Sequence, residues 1–265
     1  MIKKLSVLAL FLLLIGGTGA VLTFSRSNTA AQISESKTFS AAPINTVELN
    51  TDNAEVNVMV TPEETARVEV SGAGNPDNDI SFDADTEDGA LKVQLHEQQR
   101  KFFTIGFVSS DLTLSVYLPE KTYQSIYITN RNGRVQLQKM DTNQMDVHVN
   151  NGQIQAKDIA AKEVKVQADN GKISLEHVDG ILNGKVANGS IHVLTKDLDR
   201  SMQLASNNGS ITVQTEQEPT NTTFDVHKDN GEINILNKYS DNARFGEGKN
   251  IIKLKTNNGK ITVTK

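Results

Sequence analysis

Residues 147–175 read Val-His-Val-Asn-Asn-Gly-Gln-Ile-Gln-Ala-Lys-Asp-Ile-Ala-Ala-Lys-Glu-Val-Lys-Val-Gln-Ala-Asp-Asn-Gly-Lys-Ile-Ser-Leu. Twice in this stretch an alternation of apolar and polar residues runs into Asn-Gly and then resumes. The same pair recurs through the C-terminal half, as Asn132-Gly133, Asn151-Gly152, Asn170-Gly171, Asn188-Gly189, Asn208-Gly209, Asn230-Gly231 and Asn258-Gly259. Successive glycines are 19, 19, 18, 20, 22 and 28 residues apart. A period near 20 residues signals one supersecondary unit stacked on copies of itself.

Aligned on glycine, the copies form columns. Two residues on stand Val135, Ile154, Ile173, Ile191, Ile211, Ile233 and Ile261. Four residues on stand Leu137, Ala156, Leu175, Val193, Val213, Ile235 and Val263. Between them lie only polar residues, Gln136, Gln155, Ser174, His192, Thr212, Asn234 and Thr262. Side chains alternate across a strand, so the aliphatic columns face inward and the polar column outward. A second alternating segment precedes each turn, such as Val164-Lys165-Val166 and Ile252-Lys253-Leu254. Each unit is two short strands meeting at an Asn-Gly corner.

Two arrangements fit that unit. Asn-Gly is the strongest signal for a type I′ hairpin, with Val149 opposite Ile154. The other is a parallel β-solenoid, in which each unit makes one coil over the last. Near-constant spacing and an identical corner residue are requirements of the solenoid and not of a hairpin meander. Corner asparagines would then lie about 4.8 Å apart, close enough for an amide ladder. The expected fold is all-β, a solenoid-like stack over residues 45–265. Earlier in the chain Asp52-Asn53-Ala54-Glu55-Val56 reads as a degenerate first copy, and Leu91–Leu95 and Leu112–Leu118 continue the alternation.

The N-terminus differs. Lys3 and Lys4 precede an almost unbroken apolar run from Leu5 to Phe24. Twenty residues at helical rise can cross a hydrocarbon core of about 30 Å. Residues 1–24 therefore read as a membrane anchor, or as a signal peptide with cleavage near Thr18-Gly19-Ala20 or Thr29-Ala30-Ala31. The lysines stay inside and the bulk of the chain is exported in either case. Residues 25–44, rich in Ser, Thr, Asn and Ala, read as a flexible stalk.

Composition narrows the function classes. The chain has 265 residues, no cysteine, no tryptophan and a net charge of −5. The absence of cysteine excludes disulfides, thiolate metal sites, a Cys nucleophile and a lipid-anchoring Cys. An acidic chain without a basic patch argues against nucleic acid.

The segment Val116-Tyr117-Leu118-Pro119-Glu120-Lys121, then Ile126-Tyr127-Ile128 and the Asn-Gly-x-Ile/Val repeats, resembles the β-strand-repeat "putative adhesin" family. The LiaG and YvlB-like membrane-anchored envelope proteins of Gram-positive bacteria belong to that family. The resemblance covers residues 45–265 and the anchor. It implies a cell-envelope location and a link to envelope stress, and it brings no catalytic motif.

Candidate chemical sites are few. Asp169 and Asp229 each precede an Asn-Gly pair, and β-helices can cleave polysaccharides. With coils stacked in chain order the two would be about 14 Å apart, beyond the 5–9.5 Å of glycosidase carboxylates. His148 and His227 share an outward column about 19 Å apart, and with His192 read as unpartnered surface histidines. Asp77, Asp79, Asp83, Asp85, Glu87 and Asp88 form an acidic segment read as a solvated loop. Its Asp-x-Asp-x-Glu spacing resembles a calcium loop, but Gly89 falls one place late and Gln94 stands at the bidentate position. Phe102, Phe103 and Phe107 read as a plug over the N-terminal end of the stack. Lys260 and Lys265 read as charges that blunt its C-terminal end. The outward columns read as lacking an aromatic sugar platform.

These readings lead to a non-enzymatic, single-pass envelope protein without catalytic, cofactor or metal residues. Its C-terminal domain would be extracytoplasmic, or secreted if the leader is cleaved. Its partners would be the membrane through residues 5–24, and an envelope protein or cell-wall polymer. The alternatives are a polysaccharide-acting β-helix enzyme and an accessory or sensor subunit of a membrane stress system.

Overall fold

Alternating aliphatic columns form strands, and the strands stack. The computed structural model describes residues 31–74, 78–99 and 111–265. The chain before residue 31, and with it the anchor or signal segment, lies outside them, as do Phe102, Phe103 and Phe107. All the described regular structure is β. In chain order the strands are β1 (Ala31–Ser40), β2 (Thr46–Asn53), β3 (Glu55–Thr61), β4 (Thr65–Gly74), β5 (Asn78–Glu87), β6 (Ala90–Gln99), β7 (Asp111–Pro119) and β8 (Thr122–Gln138). They continue with β9 (Asp141–Val178), β10 (Ile181–Thr195), β11 (Met202–Asn208), β12 (Ile211–Thr215), β13 (Thr222–Ile235), β14 (Ala243–Phe245) and β15 (Asn250–Thr264).

Coil lies on coil in parallel register. Val149 does not pair with Ile154 across the corner. Asn130 pairs with Val149, and Val135 with Ile154, one coil away. That rules out the hairpin meander. Both aliphatic columns are buried, from Val135 and Ile154 at 0% exposed to Ile233 at 8%. A dry interior of Val, Ile and Leu runs the length of the stack. Tyr123 joins it at the N-terminal side, its hydroxyl donating to the Pro119 carbonyl at 2.9 Å.

The axial order departs from the chain order at both ends. At the N-terminal end β6 lies outside β2, and β7 outside β3, both parallel. Antiparallel strands then close the stack: β5 on β6, β4 on β7, and β1 on β4. At the other end β15 inserts between the Asn208 coil and the Asn230 coil. The last coil in sequence is therefore the last but one in space. The Asn230 coil is outermost because of its aromatics. Phe224 occupies a place held by Ile or Met in its neighbours, and its ring meets Phe245 edge-on at 5.9 Å. Tyr239 likewise meets Phe245 edge-on, at 5.7 Å. Only a stack end has room for this group.

Three expectations change here. Residues 31–40, read as stalk, form β1, with ten residues paired to β4. Ile33 and Phe39 supply the apolar anchors, packing on the core from a Ser- and Thr-rich strand. The acidic segment is no loop. Residues 78–87 are the edge strand β5, turned into β6 at Asp88-Gly89, both with positive φ. Lys260 does not guard an end: it lies inside the stack and pairs with Glu232 at 3.0 Å, while Lys265 approaches Glu218 at 3.9 Å.

Candidate functional site

The most regular feature is the row of corners. Asn132 Nδ2 donates to Asn53 Oδ1 at 2.6 Å. Asn151, Asn170, Asn188, Asn208, Asn258 and Asn230 follow in axial order, each amide donating to the previous Oδ1 at 2.9 Å. At the N-terminal end Asn53 Nδ2 donates to Glu97 Oε2 at 3.1 Å. All the amides thus point one way along the axis.

The glycine beside each asparagine is required twice over. Its φ lies between +126° at Gly133 and +159° at Gly259, a region L side chains avoid. A Cβ on Gly171 would also fall 1.7 Å from the carbonyl oxygen of Gly152, in the coil beneath. The backbones meet where a side chain would stand. Ala54 escapes the first condition, since its φ is not positive. In three coils a polar side chain two places before the asparagine, Asn130, Ser206 or Thr256, holds a corner carbonyl of the neighbouring coil. Asn130 Nδ2 donates to Ala54 O at 2.9 Å, and Thr256 Oγ1 to Gly209 O at 3.0 Å.

The insertion of β15 moves the sequence-selected residues further apart. Asp169 and Asp229 stand four coils apart, about 19 Å, with Ala187, Asn207 and Asn257 between them. No glycosidic bond can lie between such carboxylates. His148 and His227 are five coils apart, and neither is alone. His227 Nε2 lies 3.2 Å from Asp229 Oδ1, and His148 Nε2 3.9 Å from Asp169 Oδ2. His177 stands between Asp158 and Glu216, at 3.6 and 2.9 Å. Sequence reading missed that pairing because its members come from three separate coils.

Asp83, Asp85 and Glu87 alternate along an extended strand, spread as no calcium loop could be. Among the described residues no three His, Asp or Glu side chains gather to hold a metal. A cavity of about 700 Å³ lies beside the first corners and is lined by Glu55, Glu97, Asp111 and Arg134 among others. Tyr127, 37% exposed, and Tyr117, half-buried under Arg67, correct the expectation of outward faces without aromatics.

Tyr123 and Asp199 are displaced from their ordinary values by their surroundings. Burial pushes the Tyr123 hydroxyl up to about 12. Asp199 is held below the usual carboxylate range, chiefly by the Thr220 hydroxyl, with the Asn221 amide and Thr222 hydroxyl adding to it. The bonds measure 2.7, 3.0 and 3.2 Å and tie the turn at 197–200 to the outermost coil.

The corner ladder and parallel register define a class: a β-solenoid stack with two flat polar faces. Within it, the family model described as Toastrack DUF4097 matches residues 44–179 and 133–264. The chain belongs to that family. No curated protein matches the chain. Among solved structures it is similar to a "putative cell adhesion protein" from Clostridium sporogenes, with 14% identity over 88% of this chain and 99% of that one, TM-score 0.43. It is also similar to a "putative adhesin" from Bacteroides fragilis, with 11% identity over 88% and 98%, TM-score 0.45. A third similar structure is a "putative adhesin" from Parabacteroides distasonis, at 11% identity over the same shares, TM-score 0.35. Likeness at this level transfers no ligand or activity.

Proposed function

We propose that this protein is a non-enzymatic, membrane-anchored component of the cell envelope, presenting a rigid β-solenoid for contact with an envelope protein or cell-wall polymer. The observation that carries the reading is the unbroken stack itself. Among the described residues eight coils joined by the corner ladder span about 34 Å, with one aliphatic core and polar outer faces. Such a body keeps its shape because each coil is fixed by two neighbours. It is a spacer and a presenting surface.

The apolar run Leu5–Phe24 supports the anchor. Among the described residues no helix is long and apolar enough to cross a membrane, so anchoring falls to that run. β1 begins at Ala31, leaving at most about 25 Å of extended chain from Phe24. The N-terminal cap is thereby held close to the membrane, and the aromatic cap of Phe224, Tyr239 and Phe245 faces away from it.

The chain has no cysteine, so single cysteines report its placement cleanly. Ser34→Cys near the membrane and Asp241→Cys at the far cap are both expected to react with an impermeant maleimide on intact cells. Both should remain in the membrane pellet after alkaline washing. Labelling only after lysis, or release by the wash, would refute the reading.

A further inference from the structure

The insertion of β15 creates a surface that no contiguous stretch of sequence contains. Register places Lys185, Ala205 and Lys255 in one outward row, and Asn183, Gln203 and Lys253 in the next. One pair further along, Ile181 and Ile251 flank Ser201 around a cavity of about 160 Å³. Those two isoleucines are 54% and 45% exposed, high for large aliphatics in this chain. On this face of the three coils, residues 181–187, 201–207 and 251–257, there is no carboxylate. Among the described residues Lys185, Lys253 and Lys255 form no ion pair, whereas Lys157 and Lys165, on neighbouring coils, pair with Glu176 and Asp146. Glu163 and Asp225 bound the block on either side. Asp225 is in register with Lys253 and still forms no ion pair with it.

We infer that this block binds a linear phosphodiester polyanion with short aliphatic linkers between its phosphates. Three unpaired ammonium groups on a chain of net charge −5 select an anion by local field. Alternate lysines on one strand stand about 6.6 Å apart, a span that fits successive phosphates joined by a three-carbon linker. Ile181 and Ile251 give the linkers an apolar wall. The block is about 10 Å by 13 Å, far short of the roughly 800 Å² per partner of a stable protein interface. A thin chain fits that area, and a folded partner does not. No aromatic ring lies in the block, so nucleobases have nothing to stack on. The inference deepens the scaffold reading by naming the chemistry of one ligand, and it rests on that reading only for where the ligand would be met.

The test uses the full-length chain in a non-ionic detergent and a synthetic poly(glycerol phosphate) oligomer, followed by titration calorimetry. Binding is expected at about 50 mM salt, weakening about tenfold or more at 300 mM, as counterion release by three cations requires. The variant K185Q/K253Q/K255Q should lose binding at least tenfold with an unchanged melting temperature. K139Q/K162Q/K172Q, which removes equal charge elsewhere, should bind nearly as wild type. No binding by the wild type, or equal loss in both triple variants, would overturn the inference while leaving the envelope placement untouched. Preference for phosphatidylglycerol vesicles over the oligomer, lost in the first variant, would also overturn it in favour of a lipid surface.

Discussion

Replacing Gly171 by alanine adds one methyl group at the tightest kind of contact in the molecule. The new Cβ would stand 1.7 Å from Gly152 O, and the φ of +145° would stay unfavourable even if the neighbour moved. Strain at such a φ costs about 1–3 kcal/mol. Forcing packed layers apart costs about another 1–3 kcal/mol. Each corner hydrogen bond lost as the coils separate adds about 0.5–1.5 kcal/mol. Alanine regains about 0.4–1 kcal/mol by restricting the unfolded chain. The net loss is about 1.5–7 kcal/mol, a large share of a typical domain's stability of about 5–15 kcal/mol. At about 2–4 °C per kcal/mol for a chain of this size, the melting midpoint should fall by at least about 3 °C. Circular dichroism of the strand signal through a thermal scan reads this directly. Gly171→Val should behave at least as badly. Ala54→Gly is the internal control, since Ala54 carries its Cβ without strain, and it should cost no more than about 1 kcal/mol. A Gly171→Ala midpoint equal to wild type would refute the claim that stacked backbones, and not local turn preference, demand glycine at the corners.

Three further outcomes follow from the same coordinates. Asn170→Ala removes the side chain that donates to Asn151 and accepts from Asn188, and should cost about 1–2 kcal/mol; Asn230→Ala, at the ladder's end, should cost about half as much in a urea titration. Deleting residues 250–265 removes an inner coil with Ile252, Leu254, Ile261 and Val263 from the core, about 6–12 kcal/mol of gross burial. The truncated chain should therefore fail to give a cooperative melt, whereas loss of a truly terminal coil would only shorten the stack. The Asp199 carboxyl is depressed in the folded state. Its contribution is thus complete above the unfolded aspartate value near 3.9 and is lost as pH falls through the lower folded value. Asp199→Asn should lower the midpoint at pH 7 and flatten its decline below about pH 4; an acid limb as steep as wild type would contradict the assignment.

The sequence alone determined the coil. A period of two within each strand and a period near 20 between corners are local properties, readable from Val147 to Leu175. They settle which residues face inward, because a strand has only two sides. They also place the asparagines one above another once stacking is granted. What the sequence left open is the order of the coils. Every coil edge offers its neighbours the same backbone hydrogen bonds, so nothing local says that β15 must enter between the Asn208 and Asn230 coils. That choice belongs to the ends, where Phe224, Tyr239 and Phe245 need room that only an outermost coil provides. The 28-residue interval between Gly231 and Gly259 was the one trace of it, holding the chain that leaves the stack and returns. β1 and β5 escaped reading for a related reason: edge strands bury one side at most, and their Ser, Thr and Asp residues look like loop. The block of Lys185, Lys253 and Lys255 exists only after that insertion, since its members come from strands some 70 residues apart in the chain and are joined by tertiary register alone.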